Sequence, residues 1–205
     1  MMKLFYVPGA CSIVPQIVLR EGGFEFALDR VDVRNGKKTD GGQEYLKVNP
    51  KGNVPALLGE SGRLFTEAAV IIQYLADQKP ETKLAPPNGS LERVELQEWL
   101  NFIATELHKG LAIFYQPTLG EELKAVMRAR LEARFDVLAA QVQGKAWLLG
   151  ETFTVADAYE FYALRAYQHV LKASLESRPA LAAYYAKLAA RPSVKASLEA
   201  EHLTV

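Results

Sequence analysis

The feature that most constrains the fold is a change of pattern near the middle of the chain. Up to about Gln78, short apolar segments alternate with segments of helical spacing, whereas after Ser90 the apolar residues recur at helical intervals. The segment between them is rich in proline, which is typical of an interdomain linker. We therefore predict two domains, over 1–79 and 91–205, joined by a linker over 80–90.

The first domain is predicted to contain a strand–helix–strand unit followed by a hairpin and a second helix (βαβ-ββα). Pro8-Gly9 ends the first strand, and Gly22-Gly23 ends the first helix. A strand–helix–strand unit usually forms a parallel pair through a right-handed crossover, and the hairpin adds an antiparallel edge. The predicted strands span 3–7, 26–33, 54–58 and 63–65, and the predicted helices span 12–21 and 66–75.

The second domain is predicted to be an all-helical bundle, so the fold class is an α/β domain plus an all-α domain. Ser90 is a suitable N-cap for the first helix, and 154–157 (TVAD) resembles a capping box before the third. We interpret that capping box as a folding element. Apolar spacing places the four helices at 91–111, 123–142, 155–171 and 181–188, the last between Pro179 and Pro192.

Composition excludes several classes of protein. Lysine and arginine number 24 and aspartate and glutamate number 24, so the net charge is 24 − 24 = 0, which argues against a nucleic-acid-binding protein. One cysteine cannot form an internal disulfide, which excludes a disulfide-stapled secreted framework. No apolar run reaches the ~18 residues of a membrane span, so we expect no membrane association and a cytoplasmic protein. The histidines and the cysteine lack metal-ligand spacing, and we predict no metal.

Cys11 is the first candidate for chemistry. It follows Pro8-Gly9-Ala10 and immediately precedes the first helix, where backbone N–H groups carry partial positive charge. A thiolate is stabilised in such a position, which predicts a thiol pKa below the usual ~8.5. The commoner alternative for a lone cysteine is an inert, buried side chain.

Two junctions beside the hairpin could bind the backbone and the charged end of a peptide. A cis bond between Val54 and Pro55 would turn the N–H and C=O of Val54 outward, although the residues alone favour a trans bond. At 66–68 (TEA), backbone N–H groups suit a carboxylate and Glu67 suits an ammonium group, so the two charges of an α-amino acid could be held together. The alternative is an ordinary helix start with a capping threonine.

His108 is the candidate in the second domain, one turn from Thr105 on its first helix. A histidine near a thiol could orient a polar substrate or transfer a proton. The alternative is a solvent-facing or hydrogen-bonded helical histidine. We interpret His169 and His202 as structural.

Taken together, these segments resemble the glutathione S-transferase family, and more narrowly its bacterial beta class. The resemblance covers essentially the whole chain, and the order and spacing of the motifs make it specific. The motifs are 3–6 (KLFY), 8–12 (PGACS), 48–57 (VNPKGNVPAL), 66–67 (TE), 98–110 (EWLNFIATELHKG) and 153–159 (FTVADAY).

The resemblance implies a thioredoxin-like first domain, a helical second domain, a homodimer and glutathione as the co-substrate. It implies that Cys11 replaces the tyrosine or serine that activates the glutathione thiol in other classes. Val54 would pair with the cysteinyl backbone of glutathione after a cis Pro55, and Glu67 with the N–H of Ala68 would hold the γ-glutamyl end.

Further ligand residues are implied by the resemblance alone. Beta-class relatives use the positions of Asn101, Thr105 and His108 around the ligand, with some contacts coming from the partner subunit. A lysine in the loop after the second strand also contacts the ligand in relatives. We assign this role to Lys37, with Lys38 as the alternative because the loop length differs here.

Two departures from the family pattern matter. Ala68 stands where many relatives have a serine, so only its backbone N–H can serve. Tyr6 matches the position at which some classes keep a catalytic tyrosine, but in beta-class proteins that role is displaced toward Cys11. We therefore leave Tyr6 out of the catalytic set, which contains Cys11 and His108.

The implied function is conjugation of the glutathione thiol to small hydrophobic electrophiles, with the apolar helices of the second domain lining the electrophile pocket. An alternative enzyme is a glutathione-dependent thiol–disulfide reductase or dehalogenase, which a cysteine in place of tyrosine or serine favours. An alternative of another class is a non-catalytic interaction protein of the same fold. The retained Cys11, Val54-Pro55 and Glu67 argue against it.

Overall fold

The computed structural model of the chain describes residues 1–33 and 36–204. The chain divides into two compact units: unit 1 comprises Met1–Leu84 with the residues from Pro192 onward, and unit 2 comprises Ala85–Arg191. The sequence-based division assigned the residues from 192 onward to the helical domain. By their contacts they group with unit 1 instead, because the last helix of the chain packs on the first.

Unit 1 is built on a five-stranded mixed sheet, which includes the four strands that the βαβ-ββα pattern predicts. Its strands are β1 (Met2–Tyr6), β2 (Phe26–Asp32), β3 (Lys38–Thr39), β4 (Ala56–Leu58) and β5 (Leu64–Thr66). The strand order is β3-β2-β1-β4-β5. β1 and β2 are parallel, and the other neighbouring pairs are antiparallel. The two-residue β3 was not anticipated from the sequence.

The strand register gathers three chain segments at one end of this sheet. Phe5 of β1 pairs with Ala56 of β4, and Ala56 pairs with Thr66 of β5. The residues that follow β1, precede β4 and follow β5 therefore leave the sheet at the same end of its strands. Cys11, Val54 and Glu67 all lie in these three segments.

Helices cover the sheet and form the whole framework of unit 2. In chain order they are α1 (Ile13–Glu21), α2 (Tyr45–Val48), α3 (Ala68–Gln78), α4 (Leu91–Phe102), α5 (Lys109–Ala112), α6 (Glu121–Val142), α7 (Val155–Leu171), α8 (Pro179–Ala189) and α9 (Pro192–Ala200). In unit 1, α1 packs against both α3 and α9. α1 ends where predicted, since the N–H of Gly22 donates to the carbonyl of Val18 at 2.9 Å.

Unit 2 contains the predicted long helices and two of the predicted caps. The backbone N–H of Arg93 donates to the Ser90 hydroxyl at 3.1 Å, so Ser90 is the N-cap of α4. Thr154 and Asp157 form the reciprocal capping box at the start of α7. The interior is largely apolar, with Leu131, Phe135 and other side chains of α6 and α7 buried, although α7 also buries Asp157 and Glu160.

Two features of the helices were not predicted. α4 passes into a π-helical segment over Ile103–His108, which continues directly into α5. Pro192, taken from the sequence as a boundary after the fourth helix, begins α9, because proline is well tolerated at the first position of a helix. Over the described ranges, no helix is both long and apolar enough to cross a membrane.

Candidate functional site

A tight turn delivers the chain from β1 to Cys11. The N–H of Ala10 donates to the carbonyl of Val7 at 3.0 Å, with Pro8 and Gly9 between them. Gly9 has φ +76°, a left-handed value that glycine adopts without steric cost. Proline at the second position and a positive φ at the third are the signature of a type II turn.

Ser12 fixes the other side of this loop. Its hydroxyl accepts a hydrogen bond from the Val7 N–H at 3.1 Å and donates one to the Val7 carbonyl at 3.2 Å. The side chain is fully buried. The loop that carries Cys11 is thus closed on itself by side-chain and backbone hydrogen bonds.

Cys11 lies two residues before α1, with the N-cap residue Ser12 between them, and its thiol faces the backbone of Val54. Its Sγ is 3.3 Å from the carbonyl oxygen of Val54, and the residue retains 9% of its accessible surface. The distance is that of a thiol S–H donating to a carbonyl. The thiol therefore lies near the N-terminus of a helix and against the backbone of the Val54 loop.

The Val54–Pro55 peptide bond is cis, as the resemblance implied. The preceding loop is held by polar side chains that converge on the Asn53 carbonyl. The Tyr45 hydroxyl and the buried Asn49 amide each donate to it at 2.8 Å. The backbone of Val54 therefore projects from a fixed loop.

Glu67 occupies the junction between β5 and α3. The sequence predicts a helix that starts at Thr66, but Thr66 is the last residue of β5, and α3 begins at Ala68. Glu67 has φ +69°, a conformation that costs a residue with a side chain roughly 1–3 kcal/mol. Its carboxylate is 63% exposed and accepts a hydrogen bond from the Lys51 ammonium group at 2.9 Å. The junction thus presents an exposed carboxylate beside the first N–H groups of a helix.

The structure places the two candidate loop lysines differently. The Lys37 ammonium group donates to the Gly52 carbonyl at 3.1 Å, which brings it to the loop that precedes Val54. Gly52 leaves the room for it, since a Cβ there would lie 2.8 Å from the Lys37 Nζ. Lys38 is part of β3, where it pairs with Asp32.

The candidate residues of unit 2 cluster on the π-helical segment and the turn before it. The Thr105 hydroxyl donates to the Asn101 carbonyl at 2.9 Å. The Nδ1 of His108 lies 2.9 Å from the Tyr159 hydroxyl, and the His108 ring stands edge-on to Tyr162 at 4.9 Å between ring centres. Single π-helical turns occur frequently at functional sites. The geometry holds the His108 ring in one orientation.

Tyr6 is the last residue of β1, and its phenol lies near several charged groups. Burial raises the pKa of its phenol, and the nearby carboxylates of Glu201 and Asp40 raise it further, with a smaller opposing effect from Arg30. The phenol is therefore neutral at physiological pH. The exclusion of Tyr6 from the catalytic set stays a prediction.

Three charged residues near these segments were missed by sequence reasoning. Lys51 contacts both Glu67 and the Thr66 hydroxyl, and Glu201 accepts a hydrogen bond from the Gly9 N–H. In unit 2, Glu106 of the π-helical segment binds Arg130 and Arg134, whose hydrogen bonds lower the pKa of its carboxyl. Lys51 stands within a quoted motif, but for Glu201 the sequence carries no signal.

Two cavities are lined by residues outside the segments that carry Cys11, Val54 and Glu67. A cavity of about 190 Å³ in unit 2 is lined by Thr105 and by residues of α5 and α6. A larger one of about 570 Å³ in unit 1 contains none of the predicted site residues. Among the residues that the structure describes, no group of three histidine, cysteine or acidic side chains could hold a metal ion.

Comparison with known proteins identifies both halves of the chain. A family profile described as "Glutathione S-transferase, N-terminal domain" matches residues 1–77, and one described as "Glutathione S-transferase, C-terminal domain" matches residues 106–201. Among curated relatives, Glutathione S-transferase GstA of Escherichia coli O157:H7 is 45% identical over 202 residues, covering 98% of this chain and 100% of its own.

Two solved structures are similar over nearly the whole chain. A sphingomonad glutathione S-transferase complexed with glutathione is 40% identical, with a TM-score of 0.93 over 98% of this chain and 100% of its own. A bacterial beta class glutathione S-transferase from Sphingomonas chungbukensis is 39% identical, with a TM-score of 0.92 and the same coverage.

Proposed function

The chain belongs to the glutathione S-transferase family, and from that premise we propose that it binds glutathione beside Cys11 and conjugates its thiol to small hydrophobic electrophiles. The observation that carries the proposal is that the segments of Cys11, Val54 and Glu67 all leave the unit 1 sheet at the same end of its strands. A thiol, a backbone edge and an exposed carboxylate beside a helix N-terminus match the parts of a γ-glutamyl tripeptide.

Each part of glutathione has a proposed partner of suitable chemistry. The backbone of Val54 pairs with the cysteinyl residue, and its carbonyl lies 3.3 Å from the Cys11 Sγ, so the ligand thiol is brought to Cys11. Glu67 binds the α-ammonium group in place of Lys51, and the N–H of Ala68 binds the α-carboxylate. Lys37 supplies a cation at the Gly52 loop for the second carboxylate.

The roles of Asn101, Thr105 and His108 rest on the resemblance alone. We propose all three as ligand contacts, and His108 as a group that orients the reacting thiol or transfers its proton. The contact of its Nδ1 with the Tyr159 hydroxyl at 2.9 Å supports a fixed ring orientation.

In the proposed conjugation, the glutathione thiolate attacks an electrophilic carbon. A carbon–sulfur bond forms and the leaving group departs with its electron pair. Lowering a thiol pKa from ~8.5 to ~6.5 is worth about 2.7 kcal/mol and makes the thiolate the major form at neutral pH.

A thiol–disulfide exchange is the second proposed activity, favoured by the presence of a cysteine at this position. The Cys11 thiolate attacks a glutathione mixed disulfide, whose second thiolate leaves as Cys11 becomes glutathionylated. Another glutathione thiolate then attacks this bond, which releases Cys11 and forms glutathione disulfide. Glutathione is therefore the net reductant of this exchange.

The first test is calorimetric titration of glutathione into the wild type and Cys11→Ala side by side. Binding by the wild type is expected, and failure to bind would contradict the proposal and favour the interaction-protein alternative. We expect Cys11→Ala to abolish disulfide reduction and to retain conjugation, measured with a chromogenic electrophile. Loss of both activities would contradict separate roles for the two thiols.

A homodimer and a cytoplasmic location remain predictions. Light scattering after gel filtration should give 2 × 22.7 = 45.4 kDa for the dimer. A mass of 22.7 kDa would contradict it.

A further inference from the structure

The C-terminal end of the chain returns to the loop that carries Cys11. The N–H of Gly9 donates to the Glu201 carboxylate at 2.8 Å, across 192 positions of sequence. Glu201 directly follows α9 and retains only 3% of its accessible surface. A buried carboxylate is rarely tolerated without partners, so its position on a backbone N–H is a specific arrangement.

Contacts at both ends of α9 hold this helix against α1. The Ser193 hydroxyl donates to the Glu21 carboxylate at the end of α1, and Glu201 meets Gly9 just before α1 begins. The two helices therefore run in opposite directions. Ser193, Ser197 and Glu201 recur at intervals of four and are all buried, so they form one polar stripe on the inner face of α9.

Glu201 contacts the one peptide unit that defines the conformation of the turn. In the Val7–Ala10 turn, the Pro8–Gly9 peptide lies in the middle and takes no part in the Ala10-to-Val7 hydrogen bond. Rotation of this peptide plane converts a type II turn into a type I turn and removes the positive φ of the third residue. A carboxylate that accepts the Gly9 N–H favours the type II form.

From this geometry we infer that Glu201 is a positioning residue of the thiol site, which acts through the Pro8–Gly9 peptide on the placement of Cys11. The inference rests on the proposed function for its effect on turnover, but the contact itself is independent of glutathione. Cys11 is two residues beyond Gly9, and the N–H of Ile13 donates to the Ala10 carbonyl at 3.1 Å. A rotated turn would therefore shift both the thiol and the first turn of α1.

Two conservative variants test the length and the charge of the Glu201 side chain separately. Glu201→Gln keeps an acceptor oxygen at the same distance and removes the charge, whereas Glu201→Asp keeps the charge and shortens the side chain by one methylene. The exposed Glu199 on the same helix gives the matched control, Glu199→Asp. The readouts are hydrogen exchange of the Gly9 amide by NMR, the glutathione Kd by calorimetry and kcat with a chromogenic electrophile.

We expect Glu201→Asp to speed exchange of the Gly9 amide and to lower kcat, each by about tenfold, with the Kd for glutathione within about twofold of the wild type. Glu201→Gln and Glu199→Asp should match the wild type within about twofold in all three readouts. A purely structural role would change the Kd together with kcat, since it would disturb the Val54 and Glu67 contacts as well.

Four results would overturn the inference. Two concern the Gly9 amide in Glu201→Asp: exchange as slow as in the wild type, or faster exchange with an unchanged kcat. The third is a Kd that changes together with kcat, and the fourth is a loss in Glu201→Gln as large as that in Glu201→Asp. A wild type without glutathione binding would instead contradict the proposed function, and the amide exchange would still decide whether Glu201 holds the turn.

Discussion

At the scale of single residues, Glu67 combines an unfavourable backbone conformation with a useful side chain. Its φ of +69° would suit glycine better than glutamate. Its carboxylate is also largely exposed and is paired with Lys51 in a surface ion pair that is worth little on its own. A strained backbone that holds an exposed carboxylate is more readily explained by ligand binding than by stability.

We therefore expect Glu67→Gly and Glu67→Ala to differ in stability but not in binding. Both remove the carboxylate and should weaken glutathione binding about tenfold, from the loss of a charge-assisted hydrogen bond. Only Glu67→Gly relieves the backbone, so it should be about 1 kcal/mol more stable than Glu67→Ala. Calorimetric titration and urea unfolding measure the two effects.

Glu60→Ala, in the turn at the far end of the hairpin, serves as the control and should leave glutathione binding unchanged. If Glu67→Ala bound glutathione as tightly as the wild type, the assigned role of the Glu67 carboxylate would be wrong.

The predictability of site residues depends on how far apart in sequence their partners lie. Cys11, Val54 and Glu67 each sit in a short motif whose local chemistry can be read directly, and the sheet register brings the motifs together. The contact between Glu201 and Gly9 has no such motif, because it depends on how α9 packs on α1. Hydrophobic periodicity and motif spacing in the sequence do not predict tertiary packing of this kind.

At the scale of elements, α7 depends on the cap formed by Asp157. Its carboxylate accepts hydrogen bonds from the Leu148 N–H at 2.8 Å, the Thr154 N–H at 2.7 Å and hydroxyl at 3.0 Å, and the Tyr184 hydroxyl at 2.6 Å. It thereby joins the start of α7 to α8 and to the preceding loop. Burial raises the pKa of Asp157, and these hydrogen bonds oppose part of that effect.

We expect Asp157→Ala to lower the free energy of unfolding by about 3 kcal/mol, because it leaves several buried donors without an acceptor. Urea unfolding followed by circular dichroism measures the change. The neighbouring exposed Glu151 provides the control, and Glu151→Ala should change stability by less than ~0.5 kcal/mol. An equally small effect in both variants would show that the cap does not hold α7.

The elements were predicted well where one helix or strand pattern dominates. The capping box and apolar spacing of α7 gave its bounds directly. The π-helical segment at Ile103–His108 could not be predicted, since its apolar spacing differs too little from that of an α-helix. α9 was missed because its buried face alternates serines with Val194 and Leu198, so the apolar stripe that marks a helix is short there.

At the scale of the whole molecule, the charges balance, with 24 basic and 24 acidic side chains. Overall charge repulsion is therefore small near neutral pH, and the pH dependence of stability comes from a few individual groups. Glu160 of α7 is the most unusual of them. It is fully buried, and neither of its carboxylate oxygens has a hydrogen-bond partner among the residues that the structure describes.

Burial raises the pKa of Glu160 well above its ordinary value, and the nearby Asp157 carboxylate raises it further. The folded protein therefore binds a proton at Glu160 over a pH range in which the unfolded chain has released it. Below the unfolded pKa of ~4.3, both states are protonated and there is no penalty. As the pH rises above that value, the Glu160 contribution lowers the free energy of unfolding, until the folded pKa is reached.

We expect Glu160→Gln to remove this contribution, so that its stability relative to the wild type increases from pH 5 to pH 8. Urea unfolding of both proteins at several pH values measures the difference. His169, whose pKa is lowered mainly by burial, contributes a slope of opposite sign, but it is present in both proteins and cancels. Glu98→Gln, at an exposed position on α4, is the matched control. A constant difference for Glu160→Gln would mean that Glu160 is not held in its neutral form in the folded protein.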